Sequence, residues 1–132
     1  MTGEAIVERA RACVGARFRP QGRDPLLGLD CVGLVLFALG PDVARARPTY
    51  ALSGERSADR AESGLRALGG EQVDRSSMGD IVLFEPVASQ AHLAVASENG
   101  IIQAHLGVRR VVEGPADPAW AVRSIWRFGV GE

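Results

Sequence analysis

Three side chains in this sequence are of the types that cysteine hydrolases use. Cys31 follows Asp30 at the start of an apolar run that ends at Leu39. A thiol in the first turn of a helix lies near the positive end of the helix dipole, which favours the thiolate. An imidazole facing such a thiol can take its proton and later return it to a leaving amine. The chain offers His92 and His105 for that role, although a lone cysteine or histidine is usually structural.

A base of this kind needs a polar group on its far side to orient the ring. We expect His92 to open one strand of a hairpin and Gln103 and His105 to lie on the returning strand, with all three side chains on one face. A two-residue turn at Asn99-Gly100 places His105 opposite Ala94. In that register His105 is closer to His92 than Gln103 is. A bulge in the hairpin would change which of the two residues orients the His92 ring.

The elements that position these residues begin with helices. The apolar spacing predicts helices over residues 3–15, 31–39 and 56–68, a loop over 16–30 that lines the site of Cys31, and an irregular segment over 41–52. Asp30 is the expected N-cap of the central helix, which Gly40-Pro41 ends. Cys13 shares the apolar face of the first helix with Ile6, Ala10 and Val14, and we interpret it as a core residue.

The second half of the chain has the period of β-strands. Strand patterns cover residues 81–84, 92–97, 101–105, 108–112 and 122–128. Helices followed by an antiparallel sheet predict an α+β fold, with the cysteine helix packed on the sheet. The length of 132 residues predicts one domain over residues 1–132.

Composition argues against several other classes of function. The formal net charge is −1 and the pI is about 6.1, which gives no electrostatic basis for binding nucleic acid or an anionic membrane. No apolar run is long enough to span a bilayer, and the N-terminus is not a signal peptide, so we expect synthesis in the cytoplasm. The spacing of Cys13, Cys31, His92 and His105 matches no zinc motif, and we expect no metal or cofactor.

Three motifs occur in a fixed order along the chain. They are Asp30-Cys31-Val32-Gly33-Leu34-Val35, Gly79-Asp80-Ile81-Val82-Leu83-Phe84 and His92-Leu93-Ala94-Val95. In this order they resemble the NlpC-type, papain-like cell-wall peptidases, above all the short versions of tailed phages and gene transfer agents. The resemblance implies the papain-like NlpC-type fold, with the cysteine at a helix N-terminus packed on a C-terminal antiparallel sheet.

The same resemblance implies roles for individual residues. Cys31 would be the nucleophile and His92 the base. The third position of the family, usually histidine, matches Gln103, whose amide oxygen can accept a hydrogen bond from the imidazole. The motif therefore favours Gln103 and the hairpin register favours His105, and we favour Gln103.

The resemblance also points to the residues that would bind substrate or the oxyanion. The family usually has a tyrosine in the loop before Asp30, and Phe18, which has no donor, stands at the matching position. Gln21 or Tyr50 could supply a side-chain donor, together with the backbone N–H of Cys31. Loss of one such donor costs roughly 10²–10³ in rate.

The implied function is a cysteine endopeptidase that hydrolyses peptidoglycan stem peptides through a thioester. In the family the bond typically follows a D-glutamyl residue near a diamino acid. The implied partners are the stem peptide and other tail-tip proteins of a phage-like particle, which would carry the protein to a target cell wall. An alternative is a structural or adaptor module of the tail tip with the same fold and a decayed site, and a third option is an amidase or acyltransferase.

Overall fold

The computed structural model describes residues 2–46, 57–88 and 90–129. Helices occupy the first half: α1 (Gly3–Arg11), α2 (Cys31–Leu39), α3 (Pro41–Ala46) and α4 (Ala58–Ala67). A short hairpin of β1 (Arg23–Asp24) and β2 (Gly28–Leu29) lies between α1 and α2. The strands that follow are β3 (Glu71–Val73), β4 (Ile81–Glu85), β5 (His92–Ser97), β6 (Gly100–His105), β7 (Arg110–Gly114) and β8 (Ala121–Arg127).

The strands of the second half form one antiparallel sheet in the order β3-β8-β4-β5-β6-β7. The larger apolar core lies between one face of this sheet and the helices, and it includes Leu93 and Val95 of β5. A smaller apolar cluster on the opposite face contains Ala94 and Ala96 of β5. The predicted α+β fold, with α2 packed against β5 and β6, is confirmed.

Helix α2 is the central helix because its sequence is apolar on almost every side. Most of its residues are buried, and Gly40, with φ of 95°, ends it. Pro41 then starts α3. Proline lacks a backbone N–H, and the N–H at the first position of a helix has no partner within the helix, so proline is well tolerated there. The predicted irregular segment was therefore wrong over residues 41–46. The rest of it, including Tyr50, lies outside the described residues.

Helix α1 is shorter than predicted. It ends at Arg11, and residues 12–15 form turns that carry the backbone to β7, where the Gly15 N–H donates to the Val111 carbonyl at 2.9 Å. Val14 is consequently 45 % exposed, which corrects its assignment to the core. Cys13 is buried as predicted.

Several strand boundaries differ from the sequence expectations. The short strands β1, β2 and β3 were not predicted. Strand β7 begins at Arg110 rather than at residue 108, because Arg109 adopts φ of 59° and ends the preceding turn. Ser57 caps α4, and β8 ends at Arg127.

The Gly79-Asp80 motif links the ends of β4 and β8. Asp80 is buried and accepts two hydrogen bonds from the guanidinium of Arg127, with Nε to Oδ1 at 3.0 Å and Nη2 to Oδ2 at 2.9 Å. The backbone N–H of Ser77 donates to the same carboxylate at 2.7 Å. A buried carboxylate is tolerated only when it is paired and hydrogen-bonded in this way. These bonds of Asp80 therefore hold the ends of β4 and β8 together.

Two glycines let the loop before α2 touch the helix directly. A Cβ on Gly33, in the first turn of α2, would lie 2.0 Å from the carbonyl oxygen of Gly22. A Cβ on Gly22 would lie 2.2 Å from the carbonyl oxygen of Gly28. The glycine of the Asp-Cys-x-Gly motif is therefore required for backbone packing beside Cys31.

We expect Gly33→Ala to lower the free energy of unfolding by about 1–3 kcal/mol, because the added methyl group meets backbone that cannot move aside cheaply. The alanine has the better helix propensity, so a loss would come from the contact and not from the helix. Gly114→Ala is the matched control, since a Cβ there has nothing within 4 Å, and it should change stability by less than about 0.5 kcal/mol. Urea unfolding of the two variants measures the difference. Equal stability of Gly33→Ala and the wild type would contradict this account.

Candidate active site

The carboxylate of Asp30 fixes the first turn of α2 and the loop in front of it. Its Oδ1 accepts the Gly33 N–H at 2.8 Å, which is the N-cap bond, and an Arg23 guanidinium N–H at 2.9 Å. Its Oδ2 accepts the backbone N–H of Gln21 at 2.8 Å. These bonds hold Cys31 at the helix N-terminus and fasten the loop beside it.

The hairpin of β5 and β6 has a register different from the predicted one. Ser97 pairs with Gly100 and Val95 with Ile102, so Glu98 and Asn99 form the turn and Gly100 begins β6. The cause is the close contact between Gly100 and Gly114. A Cβ on residue 100 would lie only 2.4 Å from the carbonyl oxygen of Gly114, so only glycine fits there. The predicted turn at Asn99-Gly100 was wrong by one residue.

Pairing between β5 and β6 stops at Val95 and Ile102. We call the separation of the two strands beyond that pair the β5–β6 opening. The N–H of Ala96 donates to the Asp80 carbonyl, and the Ala96 carbonyl accepts the Gly79 N–H, so the backbone groups of Ala96 point toward β4. Backbone groups alternate in direction along a strand, and those of Leu93, three residues earlier, therefore point toward β6. The Leu93 N–H is therefore directed toward the opening, and it lowers the pKa of the Cys31 thiol.

His92, the residue before Leu93, lies at the same opening and is half-buried. Its Nε2 is 2.9 Å from Oε1 of Gln103, which is buried in β6. An amide oxygen only accepts, so Nε2 carries the proton and Nδ1 is the basic nitrogen of the ring. Carrying the observed register one residue past Ile102 places Gln103 across from Ala94, diagonal to His92.

His105 has a different role in the structure. Its Nδ1 accepts the backbone N–H of Val108 at 3.1 Å, which closes the turn between β6 and β7. The structure therefore brings Gln103, and not His105, into hydrogen-bond contact with His92. The observed register, if it continued, would place His105 directly opposite His92, but the pairing ends before that point and the His105 ring bonds to Val108 instead.

Trp120 completes the surroundings of His92 and was not predicted as a site residue. Its ring meets the imidazole edge to face, with centroids 5.0 Å apart, and meets Phe84 in the same manner at 5.6 Å. Trp120 precedes β8 in an irregular segment, where no periodic pattern marks it. The only sequence signal was a large aromatic residue in a loop. Its position fixes one side of the His92 ring and limits the access of water.

The residues expected at the oxyanion site are not all donors. Phe18 forms a parallel bridge with Leu29 and packs against the main core, and the Arg109 guanidinium carbon lies 5.8 Å from its ring centroid. Gln21 is exposed with φ of 61°, and Asp30 already accepts its backbone N–H. Tyr50 lies outside the described residues.

The electrostatics favour the neutral form of both reacting groups. Burial raises the pKa of the Cys31 thiol, the negative charge of Asp30 adds to that effect, and hydrogen bonds from the backbone of Leu93 and Val32 oppose it. Burial also lowers the pKa of His92, and its hydrogen bond to Gln103 partly compensates. The backbone N–H groups of Cys31 and Val32 at the helix N-terminus do lower the pKa, in the direction expected of the dipole, but desolvation has the larger effect.

A neutral thiol and a neutral imidazole can react by general base catalysis when they come into contact. The ring can take the thiol proton as the sulfur attacks an electrophile, provided that Nδ1 faces the sulfur in the reacting complex. Among the described residues, no three His, Cys, Asp or Glu side chains are grouped so that they could hold a metal ion. The arrangement supports nucleophilic chemistry by Cys31.

Comparison with solved structures gives the fold a name. A crystal structure of the NlpC/p60 domain of the peptidoglycan hydrolase SagA superposes with a TM-score of 0.62 and 22 % sequence identity, over 97 % of this chain and 100 % of that chain. No protein-family model matches the chain. No curated protein matches it either. The fold expected from the three motifs is confirmed: the chain has the NlpC/p60 fold.

The hydrogen bond from His92 to Gln103 should control the pKa of that histidine. We expect the pKa of His92 to lie below the usual 6.5 of a histidine. The amide oxygen of Gln103 stabilises the protonated ring, so Gln103→Leu, which removes that oxygen, should lower the pKa of His92 further. Gln103→Glu should raise the pKa of His92 above that of the wild type, since a carboxylate stabilises the charged ring. NMR titration measures this directly, as the chain has 2 histidines and His105→Gln assigns the signals.

The matched control is Gln72→Glu, the same chemical change on β3 at the far edge of the sheet. It should leave the titration of His92 unchanged. An unchanged His92 pKa in both Gln103 variants would contradict the hydrogen-bonded arrangement.

Proposed function

We propose that the protein is a cysteine peptidase that cleaves the stem peptides of peptidoglycan. The observation that carries the proposal is the hydrogen bond between His92 and Gln103 at the β5–β6 opening. The next residue, Leu93, has a backbone N–H that lowers the pKa of the Cys31 thiol, and Cys31 stands at the capped N-terminus of α2. The likeness to a domain of a peptidoglycan hydrolase supports the choice of substrate.

The proposed reaction has two acyl-transfer steps. As the Cys31 sulfur attacks the scissile carbonyl carbon, Nδ1 of His92 takes the thiol proton and then gives it to the leaving amine, so that a thioester remains. Water next attacks the thioester, His92 takes a proton from the water, and that proton returns to the sulfur as the acid leaves. Gln103 keeps the ring in one tautomer throughout, as the orienting group does in related triads.

Stabilisation of the oxyanion is the weakest part of this site. Phe18 has no hydrogen-bond donor, and the Gln21 backbone N–H is occupied by Asp30. The backbone N–H of Cys31, at the N-terminus of α2, is the donor that we assign to the oxyanion. A site with one donor fewer is expected to be slower by roughly 10²–10³ than one that carries a tyrosine.

The proposed setting is the tail tip of a phage or of a gene-transfer-agent particle. The support for it is the sequence resemblance to the short peptidases of such particles. In the described residues, no helix combines the length and apolar character that crossing a bilayer requires. In this setting the particle would assemble in the cytoplasm and would bring the protein to the wall of a target cell.

The test is release of new amino groups from purified peptidoglycan. We expect the wild type to release them and Cys31→Ala to release none above background, because no other group replaces the nucleophile. Cys13→Ala is the matched control, since it removes the other thiol, which is buried in the core, and it should remain active. Equal release by wild type and Cys31→Ala, or none from either, would contradict the proposal and favour the inactive tail-tip module.

A further inference from the structure

Five arginines lie together on the loop beside the proposed nucleophile and on the strand that the loop touches. We call this group the arginine rim: Arg17, Arg19, Arg23, Arg109 and Arg110, all of which are exposed. In a chain whose formal net charge is −1, this is a local concentration of positive charge.

Backbone contacts place the rim next to α2. The Arg19 N–H donates to the Leu29 carbonyl at 3.1 Å, and the Leu29 N–H donates to the Arg17 carbonyl at 3.0 Å. Leu29 is two residues before Cys31 in the chain. The ion pair of Arg23 with Asp30, at 2.9 Å, continues the rim to the residue that directly precedes the cysteine.

The other side of the rim comes from the turn before β7. The Phe18 N–H donates to the Arg109 carbonyl at 2.9 Å, and the Arg109 guanidinium lies over the Phe18 ring. Arg17 forms an antiparallel bridge with Arg110, so their side chains leave the backbone on the same side. Like charges placed directly opposite one another cost stability.

That cost is not relieved by neighbouring carboxylates. The same segments contain two aspartates: Asp30 is paired with Arg23, and Asp24 accepts the Leu26 N–H at the tip of the β1–β2 hairpin. Within residues 2–46, 57–88 and 90–129, no carboxylate forms an ion pair with the four other rim arginines. Three arginines elsewhere are neutralised: Arg11 by Glu98 and Glu113, Arg123 by Asp59, Glu62 and Glu85, and Arg127 by Asp80.

We propose that the arginine rim binds free carboxylates of the stem peptide and thereby positions the scissile bond at Cys31. The inference rests on the proposed function and names the part of the substrate that is recognised. A D-glutamyl residue linked through its side chain keeps its α-carboxylate, and a terminal diamino acid adds a second one. Guanidinium groups bind carboxylates through paired, directional hydrogen bonds. Arginines that no described carboxylate neutralises, on a loop that leads to the nucleophile, fit an acidic peptide substrate better than a neutral one.

The test measures binding without turnover, in the Cys31→Ala protein. The ligands are synthetic L-Ala-γ-D-Glu-L-Lys and the same peptide with both of its carboxylates converted to carboxamides. We expect the dicarboxylate to bind about tenfold more tightly than the dicarboxamide, as charge-assisted hydrogen bonds allow. When Arg17→Gln and Arg19→Gln are both introduced into the Cys31→Ala protein, the preference for the dicarboxylate should fall to about twofold or less, and binding of the dicarboxamide should not change.

Arg75→Gln is the matched control, because Arg75 is exposed beyond β3 at the opposite edge of the sheet. It should keep the full preference for carboxylate. Equal binding of the two peptides, no binding of either, or a preference that survives loss of Arg17 and Arg19 would overturn the inference. If the Cys31→Ala protein prefers the dicarboxylate but the wild type does not cleave peptidoglycan, the proposed function is refuted and the inference that the arginine rim binds carboxylates still stands.

Discussion

The separation of β5 from β6 beyond Val95 and Ile102 is the feature on which the candidate site depends. If the two strands stayed paired, the Leu93 N–H would bond to β6 and could not lower the pKa of the Cys31 thiol as it does. Helix α2 packs against β5 and β6 on the side of the main core, while His92 and Gln103 lie on the opposite face of the sheet. Gly33 and Gly22 then let the preceding loop pack against the same turn of the helix.

Desolvation determines the resting chemistry of this arrangement. A helix N-terminus is usually cited as a reason for a reactive thiolate, and Cys31 is at such a terminus. Here the partial burial of the thiol and the charge of Asp30 raise its pKa, while burial lowers the pKa of His92. Both groups are then neutral near pH 7, so the thiol is activated when the proton moves, during attack, and not before.

The sequence predicted those parts of the fold that local patterns specify. The apolar run of α2, its cap at Asp30 and the strand at residues 92–97 were correct because each is encoded within a few neighbouring residues. Strands of two or three residues, such as β1 and β3, have no period to detect. Gly100 had the signature of a turn residue, yet it begins β6 because tertiary contact with Gly114 requires a residue without a side chain.

The candidate site was predictable only in part for the same physical reason. Cys31, His92 and Gln103 stand in recognisable motifs, whereas local register alone favoured His105 over Gln103. Trp120 reaches His92 through the fold of a loop, and nothing near it in the sequence indicates that contact. The arginines that no described carboxylate pairs with appear as a group only when residues 17–19 and 109–110 are brought together by the bridge between Arg17 and Arg110 and by the bond from the Phe18 N–H to the Arg109 carbonyl.

The central claim is that His92 acts on the thiol of Cys31, and alkylation by iodoacetamide near pH 7 tests it most directly. Peptide mapping separates the two cysteines, and Cys13 is an internal reference because burial raises its pKa to about 11. The account predicts that Cys31 is modified and Cys13 is not, and that His92→Ala slows modification of Cys31 at least about tenfold. Modification of Cys31 at the same rate with and without His92 would contradict it.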